Sequence, residues 1–231
     1  MTELIDTLQK ELTGKNINEQ FQYLVNMFPG KIVFSTSLGQ EDQVITDIVA
    51  KNHHNVKIFT IDTGRLFSET YQLIDRTRER YKIGIDVYFP ESNDVEELVS
   101  KKGFFSFFES VDNRIKCCHI RKVKPLARAL KGMKVWVTGL RAEQSANRKD
   151  MPLIEWVEDK QLFKFNPLIN WSYDDVIEHI EKFNVPDNPL HHQGFFSIGC
   201  SPCTRAIEAG EDSRAGRWWW ETSQKECGLH K

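Results

Sequence analysis

Apolar positions recur along this chain with two spacings, and the alternation between them lays out the elements. In residues 1–28, Leu4, Ile5, Leu8 and Leu12 share one helical face, and Phe21, Leu24, Val25 and Phe28 share another. One or two amphipathic helices are expected there. Pro29-Gly30 punctuates. A β-rich apolar run from Lys31 to Ser37 then enters a polar turn, Leu38-Gly39-Gln40-Glu41-Asp42, and Val44, Ile45, Ile48 and Val49 resume at helical spacing. The same order of strand, loop and helix follows: a strand over 56–61, the turn Asp62-Thr63-Gly64, and a helix over 68–82. Further strands are expected at 85–89, at 135–138 and, as the fifth, at 162–165.

Strands alternating with helices imply a parallel sheet covered on both faces. Runs such as Ile32-Val33-Phe34 suit strands buried on both sides. Ser172 with Asp175 three residues on reads as a capped helix start before Val176, Ile177 and Ile180, and Val185-Pro186 stops that helix. From Gly210 onward the chain is polar and glycine-punctuated around Trp218-Trp219-Trp220. Residues 1–209 are therefore expected as a single α/β domain with N-terminal helices, and residues 210–231 as an appended tail.

Composition narrows the setting. The chain has 231 residues, 40% of them hydrophobic, enough for one large domain or two small ones. Lys and Arg number 31 against 33 Asp and Glu, so a net charge of -2 demands neither nucleic acid nor membrane as partner. A small anionic substrate remains compatible, because local Arg clusters do not show in a net charge. The first residues lack an apolar core after a basic start, so no secretory signal is expected. No apolar run approaches the roughly 18 residues of a membrane span. The expected location is cytoplasmic. Thiols stay reduced there, so clustered cysteines read as metal-binding or catalytic before they read as disulfides.

Three βα turns offer polar groups at the carboxyl ends of strands, where open parallel sheets bind ligands. The first, Ser35-Thr36-Ser37-Leu38-Gly39, has small residues that let the backbone approach a phosphate at a helix N-terminus. The second is Asp62-Thr63-Gly64-Arg65, and the third is Thr138-Gly139-Leu140-Arg141, with Arg148 further on. Ordinary βα turns also favour Ser and Gly. The first turn carries neither a Walker A sequence nor G-x-G-x-x-G, which argues against standard NTPases and dinucleotide enzymes.

Four of the five cysteines form two tight pairs, Cys117-Cys118 and Cys200-Ser201-Pro202-Cys203. Cys-x-x-Cys alone serves zinc, redox pairs and iron–sulfur clusters alike. Vicinal thiols make awkward ligands for tetrahedral zinc, whose sites favour wider spacing. A [4Fe–4S] cube offers a separate iron to each thiolate. Spacing alone leaves cluster, zinc and unligated thiols open. Arg114, Lys116, Arg121, Lys122 and Lys124 crowd the first pair. They would suit an anionic centre, although such runs are more commonly a solvated helix face. Cys227 is the candidate reactive thiol, since Arg214, Arg217, Lys225 and His230 could lower its pKa. The three consecutive tryptophans read as core or interface packing.

At these residues the chain resembles the assimilatory adenylyl-sulfate reductases, within the wider family of adenylyl-sulfate and phosphoadenylyl-sulfate reductases. The matching stretches are Ser37-Leu38-Gly39-Gln40-Glu41-Asp42, Ile61-Asp62-Thr63-Gly64 with Glu69-Thr70-Tyr71, and the Lys116 to Pro125 run holding the vicinal cysteines. Thr138 to Arg141, Asn166-Pro167-Leu168, Ser197 to Arg205 and Glu226-Cys227-Gly228-Leu229-His230 follow in family order. The resemblance implies a PP-loop (adenine-nucleotide hydrolase-like) sheet and a [4Fe–4S] cluster on Cys117, Cys118, Cys200 and Cys203. It implies Cys227 as nucleophile on adenosine 5′-phosphosulfate and thioredoxin as the reductant that releases sulfite. By family position Lys122, Arg214 and Arg217 offset the phosphosulfate charge, with Arg141 and Arg148 next. Ser35, Ser37 and Gly39 line the phosphosulfate or ribose side, and His230 joins the substrate residues. A phosphoadenylyl-sulfate or dual-specificity reductase is the alternative, and a zinc-holding nucleotide-binding module without catalysis is a more distant one. Family members specific for the phosphorylated substrate typically lack the cluster cysteines. Homo-oligomerisation is left open.

Overall fold

The structure is a computed structural model, and the residues described are 2–144 and 148–222. Two N-terminal helices come first, α1 (Thr2–Leu12) and α2 (Ile17–Met27). Asn16 and Glu19 close α2 with a capping box, so its first backbone donors are satisfied from both sides. The β1 strand (Ile32–Ser35) leads through the first turn into α3 (Gln40–Lys51), and β2 (Lys57–Ile61) leads into α4 (Ser68–Tyr81). Then follow β3 (Asp86–Tyr88), α5 (Ser92–Lys102), α6 (Val111–Cys118), α7 (Lys124–Leu130) and β4 (Val135–Val137). The last elements are β5 (Ile154–Val157), β6 (Leu162–Phe165) and α8 (Tyr173–Phe183). Ser172 and Asp175 form the expected capping box of α8, and Asn184 ends that helix in the left-handed conformation.

The strands make one six-stranded sheet in the order β3-β2-β1-β4-β6-β5. β1 pairs in parallel with both β2 and β4, and β4 with β6. The expected five-strand count is corrected here. Residues 154–157 form an additional strand, antiparallel to β6, so Leu162–Phe165 is the sixth in chain order. Its four residues, Ile154-Glu155-Trp156-Val157, bury only Ile154 fully, as suits an edge strand with one inward face. The order reverses between β1 and β4, and that is where a doubly wound sheet opens its crevice.

The chain divides into two compact units. The first comprises Met1–Thr60, Gln72–Asp86 and Gly132–Asn188. It holds the main apolar core, in which Phe34, Val44, Val135, Phe165 and Val176 are almost completely buried. The second comprises Ile61–Tyr71, Val87–Lys131 and Pro189–Lys231. Its core is smaller and contains Phe107, Cys118, Cys200, Cys203 and Trp218. No helix among the described residues is long and apolar enough to cross a membrane.

Candidate sulfonucleotide and cysteine sites

In the first unit, the turn after β1 is built by its own hydrogen bonds. Ser37 donates from its backbone N and from Oγ to Asp42 Oδ2, at 2.6 and 2.7 Å. Leu38 N donates to Thr36 Oγ1 at 3.0 Å, and Leu38 itself sits at φ 62, a strained value for a leucine. Gly39 is the N-cap of α3, with no side chain closing the helix start. A helix start without a side-chain cap, beside small residues, is the arrangement that receives a phosphate. Asp42 is buried, and burial pushes its carboxyl up to about 7 against the two Ser37 bonds, with the neighbouring Glu41 charge adding to the rise. The turn after β4 meets it here: a Cβ on Gly139 would collide with the Asp42 carboxylate, so the two turns approach only because residue 139 is glycine.

The cations of this unit are engaged internally. Arg141 Nε reaches Glu41 at 2.9 Å, and its Nη1 reaches Glu143 at 3.2 Å and the Trp171 carbonyl at 3.4 Å. Arg148 is buried and bonds Gln144. Ser35 Oγ accepts from Trp136 Nε1 at 2.7 Å. The structure therefore brings Ser35, Ser37, Gly39 and Arg141 to the ends of β1 and β4, with Arg141 already paired.

The second unit gathers the two cysteine pairs. Helix α6 delivers Cys117 and Cys118, and a π-turn over His119–Val123 follows directly. A 3₁₀ turn, Ser201–Cys203, brings Cys200 and Cys203. All four sulfur-bearing residues line one cavity. Cys118, Cys200 and Cys203 are buried and Cys117 is partly so. Lys122, Arg65, Arg114 and Arg121 line the same cavity, with Phe107 and Trp218 as its aromatic wall.

The basic segment is thus not simply a solvated face. Arg114 and Arg121 are 2% and 6% exposed, whereas Lys116 and Lys124 face solvent. Residues 114, 118 and 121 recur at helical spacing, which puts two guanidiniums on the face that carries Cys118. Arg114 pairs with Glu221 at 2.5 Å and lies 4.6 Å over the Trp218 ring. Arg121 donates to the Thr63 carbonyl at 2.6 Å. Arg217 is 7% exposed, stacks on Trp218 at 4.7 Å, and occupies the space that a Cβ on Gly199 would fill.

Residues 214–221, expected as part of an appendage, pack into this unit. Thr204 and Arg217 form an antiparallel bridge, and Trp218 N donates to the Cys203 carbonyl at 3.3 Å. Arg214 donates its backbone N to Asp212. Cys227 and His230 lie outside the described residues, as does Lys225.

The thiols respond unequally to these surroundings. Burial raises the Cys200 thiol, but Lys122, the Thr63 hydroxyl at 3.2 Å, Arg217 and Arg65 outweigh it and hold the pKa below the usual value. Burial and the Cys200 charge push Cys203 up to about 12. Burial also raises Cys117, against the pull of Arg65 and Arg121. A buried set of thiols cannot all ionise alone, and bound metal is what displaces such protons. Among the described residues, no three His, Cys, Asp or Glu side chains converge on one metal ion. A cube that offers a different iron to each thiolate asks for no such convergence. The nitrogen Nε of Arg121 and Nε1 of Trp218 are buried with no hydrogen-bond partner among the described residues, and both residues line the cavity. Orphaned donors, buried guanidiniums and four thiols fit an anionic, sulfur-rich group.

A family model, the phosphoadenosine phosphosulfate reductase domain, matches residues 31–206. The chain belongs to this family. Adenosine 5′-phosphosulfate reductase of Rhizobium meliloti strain 1021 is 50% identical over 208 residues, 90% of this chain and 78% of the relative. The protein of the same name in Allochromatium vinosum is 51% identical, covering 87% of this chain and 78% of the relative. The crystal structure of phosphoadenylyl-sulfate reductase from Candida auris, in a phosphate complex, superimposes with a TM-score of 0.76 at 31% identity, covering 90% of this chain and 98% of that one. An FMN adenylyltransferase of Candida glabrata, at 16% identity and a TM-score of 0.53 over 97% of this chain and 81% of that one, shares the fold alone. The sheet is thus the PP-loop, adenine-nucleotide hydrolase-like sheet that the sequence implied.

Sequence reasoning does not reach Thr63, Phe107 and Trp218 as walls or partners of the cysteine cavity. The polar turn Asp62-Thr63-Gly64-Arg65 is the available signal for Thr63 and Arg65. Nothing local marks Phe107.

Proposed function

We propose that this chain reduces adenosine 5′-phosphosulfate to sulfite and AMP in sulfate assimilation, with thioredoxin as the electron donor. The reading is supported by relatives of that name at about half identity over most of the chain. The observation that carries it is the cavity in which four thiols meet buried guanidiniums. Cys117, Cys118, Cys200 and Cys203 would hold a [4Fe–4S] cluster there. When bound, that group supplies a compact negative charge that the surrounding Arg and Lys side chains balance.

The chemistry belongs to Cys227, in the catalytic tail spanning 210–231. Its thiolate attacks the sulfur of the phosphosulfate. The S–O bond breaks, AMP departs with the bonding pair, and Cys227 carries an S-sulfonate. A thioredoxin thiolate then attacks Cys227 Sγ and sulfite leaves. The second thioredoxin thiol resolves the mixed disulfide, so the dithiol gives up two electrons and Cys227 returns as a thiol. In the first unit, Ser35, Ser37 and Gly39 receive the nucleotide at the start of α3, where Arg141 offsets the adjacent Glu41 and Arg148 supplies a further positive charge. In the second unit, Lys122, Arg214 and Arg217 supply positive charge for the phosphosulfate, and His230 joins them from the tail.

The test is turnover by anaerobically purified protein with reduced thioredoxin. AMP and sulfite should appear in equal amounts, and Cys227→Ser should abolish both while leaving visible colour intact. A protein that releases neither product overturns the reading. The 31% identity to a phosphoadenylyl-sulfate reductase keeps a second substrate in view. The ratio of kcat/KM for the two sulfonucleotides decides between them, and the unphosphorylated one is expected to win.

A further inference from the structure

We propose that an exposed aromatic surface on the second unit, formed by Phe104, Phe105, Phe108 and Trp219, is where the dithiol protein that regenerates Cys227 docks. This rests on the function proposed above. Phe104 and Phe105 are 66% and 63% exposed, and Phe108 and Trp219 are each 41% exposed. Three of these rings are linked, since Phe105 stacks on Phe108 at 6.3 Å and Phe108 meets Trp219 at 6.3 Å and Trp220 at 4.4 Å, and Phe104 precedes Phe105 in the chain. A contiguous cluster of large apolar rings in water marks an interaction surface rather than ordinary surface composition.

The cluster is held in place from beneath. Arg65 Nη2 donates to the Phe104 carbonyl at 2.6 Å, and the Arg65 guanidinium lies 5.0 Å over the Phe107 ring. Phe107 itself is 1% exposed and packs 4.5 Å from Phe108. The exposed rings therefore stand on a buried one, and a partner loses little entropy in ordering them.

Chain length ties this surface to the chemistry. Cys227 follows Thr222 by five residues. At no more than ~3.6 Å per residue, its Cα lies within ~18 Å of Thr222, and within ~29 Å of Trp219, in any conformation. A thiolate that reaches Cys227 Sγ therefore acts within roughly 30 Å of Trp219, a span that a small protein seated on these rings can cover. The segment beyond Thr222, Ser223-Gln224-Lys225-Glu226-Cys227-Gly228-Leu229-His230-Lys231, has Leu229 as its one aliphatic side chain. Those nine residues bring a single aliphatic side chain to four aromatic rings. The occupant that fits is a separate small protein with an apolar rim around an exposed dithiol.

The experiment compares wild type with Phe104→Ser and Phe105→Ser. Three readouts are taken: the single-turnover burst of AMP without reductant, sulfite release against thioredoxin concentration, and sulfite release driven by dithiothreitol. We expect an unchanged burst, unchanged dithiothreitol-driven turnover, and a KM for thioredoxin raised about tenfold, the size of one lost aromatic anchor. An unchanged KM, or an equal loss with dithiothreitol, overturns the docking surface. So does sedimentation in which wild type self-associates and both variants dissociate at unchanged KM, because the surface then joins two copies of this chain. Absence of the AMP burst in wild type instead removes the underlying functional reading.

Discussion

The two units treat buried charge in opposite ways. In the first, the buried Arg141 and Asp47 have charged partners at hand, while Asp42 is held by Ser37. Arg141 is spanned by Glu41 and Glu143, and Asp47 accepts from Tyr81 at 2.7 Å, from Lys51 and from His179. Asp47 stays below the usual carboxylate range even though burial opposes it, because His179, Lys51 and Tyr81 all donate to it. In the second, guanidiniums and a lysine line a cavity with four thiols, of which burial raises Cys203 and Cys117 while Lys122, Thr63, Arg217 and Arg65 hold Cys200 down. The first arrangement sets its buried Arg141 and Asp47 against side chains of opposite charge, whereas the second sets several cations against thiols, with Arg114 also paired to Glu221. Cations paired with carboxylates position a site, and cations gathered beside thiols suit an anionic ligand.

The largest expected effect is on the second side of this contrast. Cys203→Ser should abolish the visible absorption of anaerobically purified protein, and iron analysis should fall to background. A variant that keeps full iron would show that the thiols are not its ligands. Next comes Arg114→Met, which strands the buried Glu221 carboxylate and removes the cation over Trp218. Breaking a buried pair from one side costs about 3–5 kcal/mol, so the urea midpoint should drop sharply, and an unchanged midpoint would contradict the pairing.

A pH-dependent effect belongs to the first unit. The folded Asp42 pKa of about 7 lies above its ordinary 3.8. Below both values the proton is bound in folded and unfolded chains alike, so the group is neutral to stability. As pH rises from about 4 to about 7, the unfolded chain ionises first and the folded state loses ground; above about 7 the loss is complete. Asp42→Asn keeps an acceptor for Ser37 and removes that loss. Its stability relative to wild type should rise between pH 4 and 7 by up to a few kcal/mol, since each pH unit between the two pKa values is worth about 1.36 kcal/mol. A difference that is flat with pH would mean that Asp42 is charged throughout. The smallest effect is expected at Ser172→Ala, which removes the α8 cap for about 1 kcal/mol. Neither colour nor thioredoxin dependence should change with it, which checks that the first unit can be weakened without touching the second.

Much of the first unit was legible in the chain. Strands such as Leu162–Phe165 and the capping box of α8 follow from spacing and from side chains three residues apart. Strand β5 escaped because its four residues include Glu155, which meets Lys164 across the hairpin at 3.1 Å. That pairing is a cross-strand relation with no local signature. In the second unit the cysteine pairs were legible as pairs, but their surroundings were not. Arg114 and Lys116 are two residues apart and equally basic, yet one is buried against Trp218 and the other faces solvent.

The amino-acid order by itself determined where helices and strands run, because periodicity and capping act within a few residues. It also determined, through the motif order, which family the chain resembles. Only the tertiary structure decided which cations are buried, that Trp218 walls the cysteine cavity, and that Phe107 rather than Phe104 or Phe105 turns inward. Burial and charge are set by segments far apart in the chain, and a pKa or an orphaned donor exists only after those segments have met.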